Sequence, residues 1–416
     1  MLGRFFQVQR AAGLSFAAAR AWLAGMNSLM RLTWLLALGC AVLATGCAAD
    51  NRGGAPKEYF VYFGTYTKGK SEGIYRARLA VATGRLSSVE LAAPASDPSF
   101  LALHPSGQFL YAIDEGSDPI KTPGRGVKAY AVDQRSGTLT FLNEQSAGGA
   151  GPCHLEVDRT GRTLLVANYS GGSVTSLPLG TDGRIGPAVT LRQHGGSSVH
   201  PSRQQRPHAH AINVAPDNRY ALVPDLGIDR VMVYRLDAAK STLVPAPSGS
   251  VALPPGSGPR HLAFHPRGHF VYILNELLCT MAVFAYDAAS GRLREVQTVS
   301  TLPAGETVQR GTSTAEVVVH PSGNFLYGSN RGHDTIVVYA IDAASGQLTL
   351  VQHQATGGKT PRHFAVDPTG SWLLAENQQS DNVVVFKIDR ESGRLTPTGQ
   401  TLDLPSPVCA VFVPVQ

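Results

Sequence analysis

The sequence predicts an all-β fold, a seven-bladed β-propeller of four-stranded blades whose ring is closed by strands from both ends of the chain. Three observations predict it. The 416 residues include 44 glycines and 27 prolines, and valine, leucine and aromatic residues fall in short runs between turn residues. That is the pattern of strands and tight turns rather than of helices. A unit of about 50 residues recurs along the chain, a length suited to a four-stranded blade. Finally, the two ends of the chain each carry one strand that the repeat would otherwise lack.

The unit opens with a short apolar strand, turns through Pro-x-Gly, and continues into a second strand rich in Tyr, Leu and Val. Its turn positions are Gly107, Gly161, Asn218, Gly268, Gly323 and Gly370. A third strand follows, such as Val283 to Tyr286 or Ile336 to Ile341. An Asp-x-x-Ser-Gly-x-Leu turn then leads to the outer strand, at Ser136-Gly137, Ser290-Gly291, Ser345-Gly346 and Ser392-Gly393. Six complete units fill the middle of the chain. The seventh is divided: Phe60 to Thr65 matches a second strand and Pro407 to Phe412 matches an innermost one. Pairing them removes the sheet edges that an open array would expose to aggregation.

Three segments follow: a leader over 1–47, a flexible tether over 48–58 and one propeller domain over 59–416. In the leader, Arg31 precedes the apolar run Leu32 to Leu43, which ends in Ala44-Thr45-Gly46-Cys47. This resembles a bacterial lipoprotein signal, in which the cysteine is lipidated; the run is too short for an ordinary membrane span. Ala44 stands where a bulkier aliphatic residue is usual, which keeps plain secretion to the periplasm open as the alternative. Met26 or Met30 would make a more typical signal start than Met1. The expectation is an exported envelope protein, facing the periplasm and held to the membrane through Cys47 alone.

The formal charge is +6, but the first 46 residues carry four arginines and no acid, which leaves +2 on the rest. A body so nearly neutral has no nucleic-acid stripe. Cys153, Cys279 and Cys409 lie far apart with no Cys-x-x-Cys pair, so neither structural zinc nor a disulfide framework is expected. No cofactor or metal is called for, and the protein is expected to be a monomer.

Neighbouring strands of a blade are antiparallel, so innermost strands begin, and second strands end, at one face of the disc. Residues there converge on one channel mouth. Positions filled alike in every blade read as scaffold, and positions that differ are candidates for chemistry. His104, His265 and His320, with Asp158 and Asp367 as equivalents, precede the turn glycines and read as turn residues. Thr65, Asp114, Asn168, Asp225, Asn275, Asn330 and Asn377 end the second strands; short polar groups of this kind bond the following turn. The next position varies: Tyr66, Glu115, Tyr169, Leu226, Glu276, Arg331 and Gln378. Innermost strands open with His154, His210, Arg260-His261, Glu316 and Arg362-His363, more histidine and arginine than packing requires.

At these residues a family resemblance emerges. Gly258-Pro259-Arg260-His261-Leu262-Ala263-Phe264-His265-Pro266, Tyr272-Ile273-Leu274-Asn275-Glu276-Leu277, Pro207-His208-Ala209-His210 and Ser329-Asn330-Arg331-Gly332-His333-Asp334 resemble the propeller-type lactonases. So do Tyr62-Phe63-Gly64-Thr65-Tyr66-Thr67, Pro224-Asp225-Leu226-Gly227, Thr360-Pro361-Arg362-His363-Phe364 and Asn377-Gln378-Gln379-Ser380-Asp381. The resemblance spans roughly Tyr59 to Val415. The family contains bacterial 6-phosphogluconolactonases and is similar to fungal carboxymuconate lactonising enzymes, both of which handle an anionic lactone without a metal. By motif match the resemblance implies Glu276, His154, Arg260 and His210 as catalytic residues. It implies Arg331, Arg362, His208, Glu316, Asn377 and Gln378 as substrate-binding neighbours.

Lactone hydrolysis needs a base for the attacking water and positive groups for the oxyanion. Glu276 or His154 is the expected base, Arg260 the oxyanion or carboxylate partner, and Arg331 and Arg362 the anion clamps. No Gly-x-Ser-x-Gly elbow is present, which disfavours a serine nucleophile. The implied substrate is 6-phosphogluconolactone or, given the leader, a related unphosphorylated aldonolactone. Two other readings stand beside it: a non-catalytic envelope propeller that binds carbohydrate or protein, and a lactonising cyclase of the muconate type.

Overall fold

The computed structural model describes residues 56–122 and 124–416. The leader, Cys47 and residues 48–55 of the expected tether lie outside the described residues. Seven antiparallel sheets follow one another along the chain. Blade 1 joins Pro407–Pro414 innermost to Glu58–Thr65 and Gly73–Ala80, with an outer edge divided between Arg85–Leu86 and Glu90–Pro94. Blade 2 runs from Leu101–Leu103 through Phe109–Ile113 and Gly126–Val132 to Leu139–Ser146. Blade 3 runs from Pro152–Val157 through Thr163–Asn168 and Ser173–Pro178 to Thr190–Gln193. Blade 4 has a reduced innermost strand, Asn213–Val214, followed by Tyr220–Asp225, Arg230–Asp237 and Thr242–Ala252.

Blades 5 to 7 are regular. Their innermost strands are Pro259–Phe264, Ser313–Val319 and Pro361–Val366, and their second strands are Phe270–Asn275, Phe325–Arg331 and Trp372–Asn377. The closure is the one the repeat predicts: Phe60 pairs with Val413, Tyr62 with Val411 and Gly64 with Cys409.

The buried apolar residues fall into seven clusters, and each lies between two consecutive blades. The stabilising burial is therefore between sheets rather than within them. Blade 1 shares one cluster with blade 2, where Phe60, Tyr62 and Cys409 meet Leu110 and Tyr130, and one with blade 7, where Phe63 and Ala410 meet Trp372 and Val385. Tyrosine hydroxyls of the second strands add a cross-blade bond. Tyr62 donates to the Gly137 carbonyl at 2.8 Å, Tyr111 to Gly183 at 3.1 Å and Tyr327 to Gly393 at 3.0 Å. The acceptor is in each case the glycine of the next blade's outer turn, where φ near +70° favours a residue without a side chain. Cys153, Cys279 and Cys409 are all free and buried.

The face where innermost strands begin is called the upper face below. The Pro-x-Gly turns form the lower one.

Candidate active site

Glu276 follows the second strand of blade 5 and is 3% exposed. Its Oε1 accepts from Arg203 Nη2 at 2.7 Å. Its Oε2 lies 3.2 Å from Arg260 Nε, 3.1 Å from Arg331 Nη2 and 3.8 Å from His210 Nε2. Arg260 opens the adjacent innermost strand and Arg331 ends the second strand of blade 6, so the repeat positions do converge on one carboxylate. Backbone carbonyls hold the two guanidiniums in place: Arg260 Nη1 donates to Ala315 at 2.5 Å and Arg331 Nη2 to Thr314 at 2.7 Å. Burial alone would raise the Glu276 pKa. Arg331, Arg203 and Arg260 outweigh it and hold the group at about 2, so the carboxylate stays charged and is a poor base. Arg260 is itself brought down to about 10 by burial and by Arg362 and Arg331, and remains a cation at neutral pH.

Arg203 has no counterpart in the repeat. It comes from the connection between Thr190–Gln193 and Asn213–Val214, which crosses the upper face. Gln204 ties this segment down through Leu226 O at 2.8 Å and Asp229 Oδ1 at 2.7 Å. Ser198 adds a bond to Asp229 Oδ2 at 2.6 Å. The signal that could have found Arg203 is the length of this connection, longer than most others between blades. Long ordered loops on a rigid scaffold are common carriers of function.

Below Glu276 lies a second buried layer. His261 Nδ1 is 2.9 Å from Glu316 Oε2, and the other Glu316 oxygen accepts from the Val317 amide at 2.9 Å. His363 stands between two carboxylates, 2.8 Å from Glu376 and 3.7 Å from Glu316. Burial raises Glu316, but His261 and His363 hold it at about 2. His261 is brought down to about 4 by burial and Arg260. Burial opposes a charge on His363, yet Cys409, Glu376 and Glu316 around it raise its pKa well above the usual value. Glu316 is thus engaged by histidines beneath the mouth, with the Phe100 ring tilted against His154 and edge-on to His261 and His363.

The remaining expected residues divide. Burial and His261 push His154 well below its ordinary pKa, and its Nδ1 accepts from the Ile212 amide at 3.3 Å. Burial and Arg260 do the same to His210, so both imidazoles are neutral. His208 is half-buried, stacked on the Tyr169 ring at 4.4 Å. Tyr169 O–H meets Arg203 Nη2 at 3.1 Å. Arg362 lies over the Tyr66 ring at 5.4 Å, while the Tyr66 hydroxyl donates to Glu115 at 2.7 Å. Among the described residues the Arg362 guanidinium has neither an ion-pair nor a hydrogen-bond partner. It lines an opening of about 540 Å³ on the upper face together with Lys68, Lys70, Gln378 and Asp381. Asn377 is not brought there. It is fully buried and bonds Thr356 O at 3.3 Å, as Asn330 bonds Thr301 O at 2.9 Å, so it holds its own blade's turn. No cluster of three or more His, Cys, Asp or Glu suited to a metal ion occurs among the described residues.

A ring of seven blades whose mouth gathers four guanidiniums around acidic and histidine side chains defines a propeller with one polar, cation-rich site at its axis. The family described as "Lactonase, 7-bladed beta-propeller" matches residues 60–412, and the chain belongs to that family. It is 39% identical over 357 residues to the 6-phosphogluconolactonase of Bacillus subtilis (strain 168), covering 86% of this chain and 99% of that protein. The 6-phosphogluconolactonase of Formosa agariphila is 33% identical over 64% of this chain and 74% of its own. Among solved structures, the Pseudomonas aeruginosa periplasmic gluconolactonase superposes with a TM-score of 0.80 at 37% identity, over 86% of this chain and all of that one. The protein is a 6-phosphogluconolactonase-like propeller lactonase, an enzyme of a lactone-hydrolysing family.

Proposed function

We propose that the upper mouth hydrolyses a gluconolactone-type sugar lactone, either 6-phosphorylated or unphosphorylated. The observation that carries this is Arg362, a half-buried guanidinium at the mouth with no bonded acceptor among the described residues. Glu115 and Glu276 nearby favour its charge without bonding it, so its N–H donors stay free to grip an anion bidentately. Lactone hydrolysis offers two such anions: an acid group on the substrate and the oxyanion formed on attack.

The division of labour follows from the contacts. Glu276 is tied to three guanidiniums and fixes their positions rather than taking a proton, which revises its expected role as base. His154, the other expected base, has its Nδ1 lone pair on the Ile212 amide. Arg260 and Arg331 supply the fixed positive field for the oxyanion, and Arg362 with Gln378 receives the substrate's polar end. Glu316 supports the floor from beneath. The relatives' names support both substrates, since one is a 6-phosphogluconolactonase and one a periplasmic gluconolactonase. The latter, with the lipoprotein-like leader, supports export and attachment through Cys47, with secretion as the alternative.

The test is turnover of glucono-δ-lactone with and without a 6-phosphate, corrected for the buffer rate. Steady hydrolysis of at least one is expected. Hydrolysis of neither would leave the binding-module reading as the better one.

A further inference from the structure

We propose that His208 is the general base of the hydrolytic step, its Nε2 taking the proton from the water that attacks the lactone carbonyl. The proposal rests on the lactonase reading above. The other acidic and imidazole groups at the mouth are already engaged. Glu276 is held by three guanidiniums. His261 and His363 are bonded to Glu316 and Glu376 in the layer beneath.

His208 differs from all of these. Its Nδ1 lies 2.9 Å from the Tyr169 carbonyl oxygen. A carbonyl only accepts, so the proton is on Nδ1 and the basic lone pair on Nε2. Nε2 has no partner among the described residues. The ring is nevertheless fixed. It stacks on Tyr169 with an interplanar angle of 18°, its backbone N–H donates to Asp225 Oδ1 at 2.7 Å, and its carbonyl accepts from the Leu226 amide at 3.0 Å. An imidazole with its tautomer set by an acceptor on one nitrogen and its other nitrogen open is the arrangement that base catalysis requires.

Its neighbours place it at this mouth. Arg203 Nη2 contacts both the Tyr169 hydroxyl and Glu276. Ala209 makes an extended bridge to Asp225, so residues 208 and 210 project to the same side, and His210 Nε2 is 3.8 Å from Glu276.

The step balances within the site. The water oxygen bonds to the lactone carbonyl carbon as its proton passes to Nε2, giving an imidazolium and a tetrahedral oxyanion. Collapse breaks the bond from that carbon to the ring oxygen, which leaves with the proton from Nε2. Lactone and water become the open hydroxy acid and the imidazole returns to neutral.

The test compares His208→Ala and His208→Asn with wild type on the lactone it hydrolyses. Asparagine keeps a donor for the Tyr169 carbonyl but has no base. Both variants should lose at least about 10²-fold in kcat with KM within about threefold. Added imidazole should restore His208→Ala saturably above an imidazole-and-buffer blank. Either variant keeping more than about a third of wild-type kcat, or no rescue by imidazole, overturns the assignment. Wild type that hydrolyses no lactone would instead defeat the lactonase reading, and His208 with it.

Discussion

At the lower rim, His104, His265 and His320 each donate from Nε2 to the turn glycine of the next blade: to Gly161 and Gly323 at 3.0 Å and to Gly370 at 2.9 Å. At the upper rim, the residues after the second strands are Tyr66, Glu115, Tyr169, Leu226, Glu276, Arg331 and Gln378, and their partners change from blade to blade. Both rims come from one repeat. Where a side chain meets similar surroundings in several blades, selection for stability fills it from a short menu, here histidine or aspartate in five blades. Where seven copies converge on a single axis, each meets different neighbours and is free to carry chemistry. The same residue type thus has two meanings here: His265 is a rivet between blades, whereas His208 and His210 belong to the mouth.

The largest expected effect breaks the ring that both rims share. Deleting Pro407 to Gln416 removes Val408, Cys409, Ala410 and Val413, all buried, and opens both apolar clusters of blade 1. Each large apolar side chain contributes roughly 1.5–3 kcal/mol, against a total stability of about 5–15 kcal/mol. The truncated chain should be insoluble or lose its cooperative thermal transition. An unchanged melting midpoint would contradict the closure.

Glu276→Gln probes the upper rim alone. It should lower kcat/KM by at least about 10²-fold, because the guanidiniums lose the charge that fixes them. It should also cost about 3–5 kcal/mol of stability, since buried cations are left unpaired. Denaturant titration beside kinetics checks both, and a variant as stable as wild type would show that the arginines find other partners.

Arg362→Met should do the reverse. Removing a guanidinium that bonds no acceptor among the described residues should change the thermal midpoint little, while KM for an anionic lactone rises by about tenfold or more, roughly 1.4 kcal/mol. A KM unchanged for phosphorylated and plain substrate alike would remove Arg362 from the site. The smallest effect is at the lower rim. His265→Ala should lose about 1–3 kcal/mol of stability by orphaning the Gly323 carbonyl. Its kcat/KM should match wild type; a tenfold loss would dissolve the distinction between the rims.

The blades, the closing strand and the meeting of Arg260, Glu276 and Arg331 were legible because the period fixes where each residue stands on its blade. Legibility ended where the repeat did. Arg203 lies in a connection with no equivalent elsewhere, so no periodic comparison could align it with Glu276. Glu316 shares its repeat position with His261 and His363, but only the packed channel shows that these three engage one another. Asn377 was placed by a neighbouring motif, although its match to Asn168 and Asn330 already pointed to a turn bond. The base was harder still, because a lone pair on Nε2 depends on one carbonyl, that of Tyr169, opposite the other nitrogen.

The strand Glu58–Thr65 runs from the lower face to the upper, since Tyr59 pairs with Pro414 and Thr65 with Pro407. The described chain therefore begins at the lower face, a full strand's length from the mouth. A small solute that reaches the upper face meets the variable loops of the mouth, while the first described strand enters on the opposite side among the recurring turns.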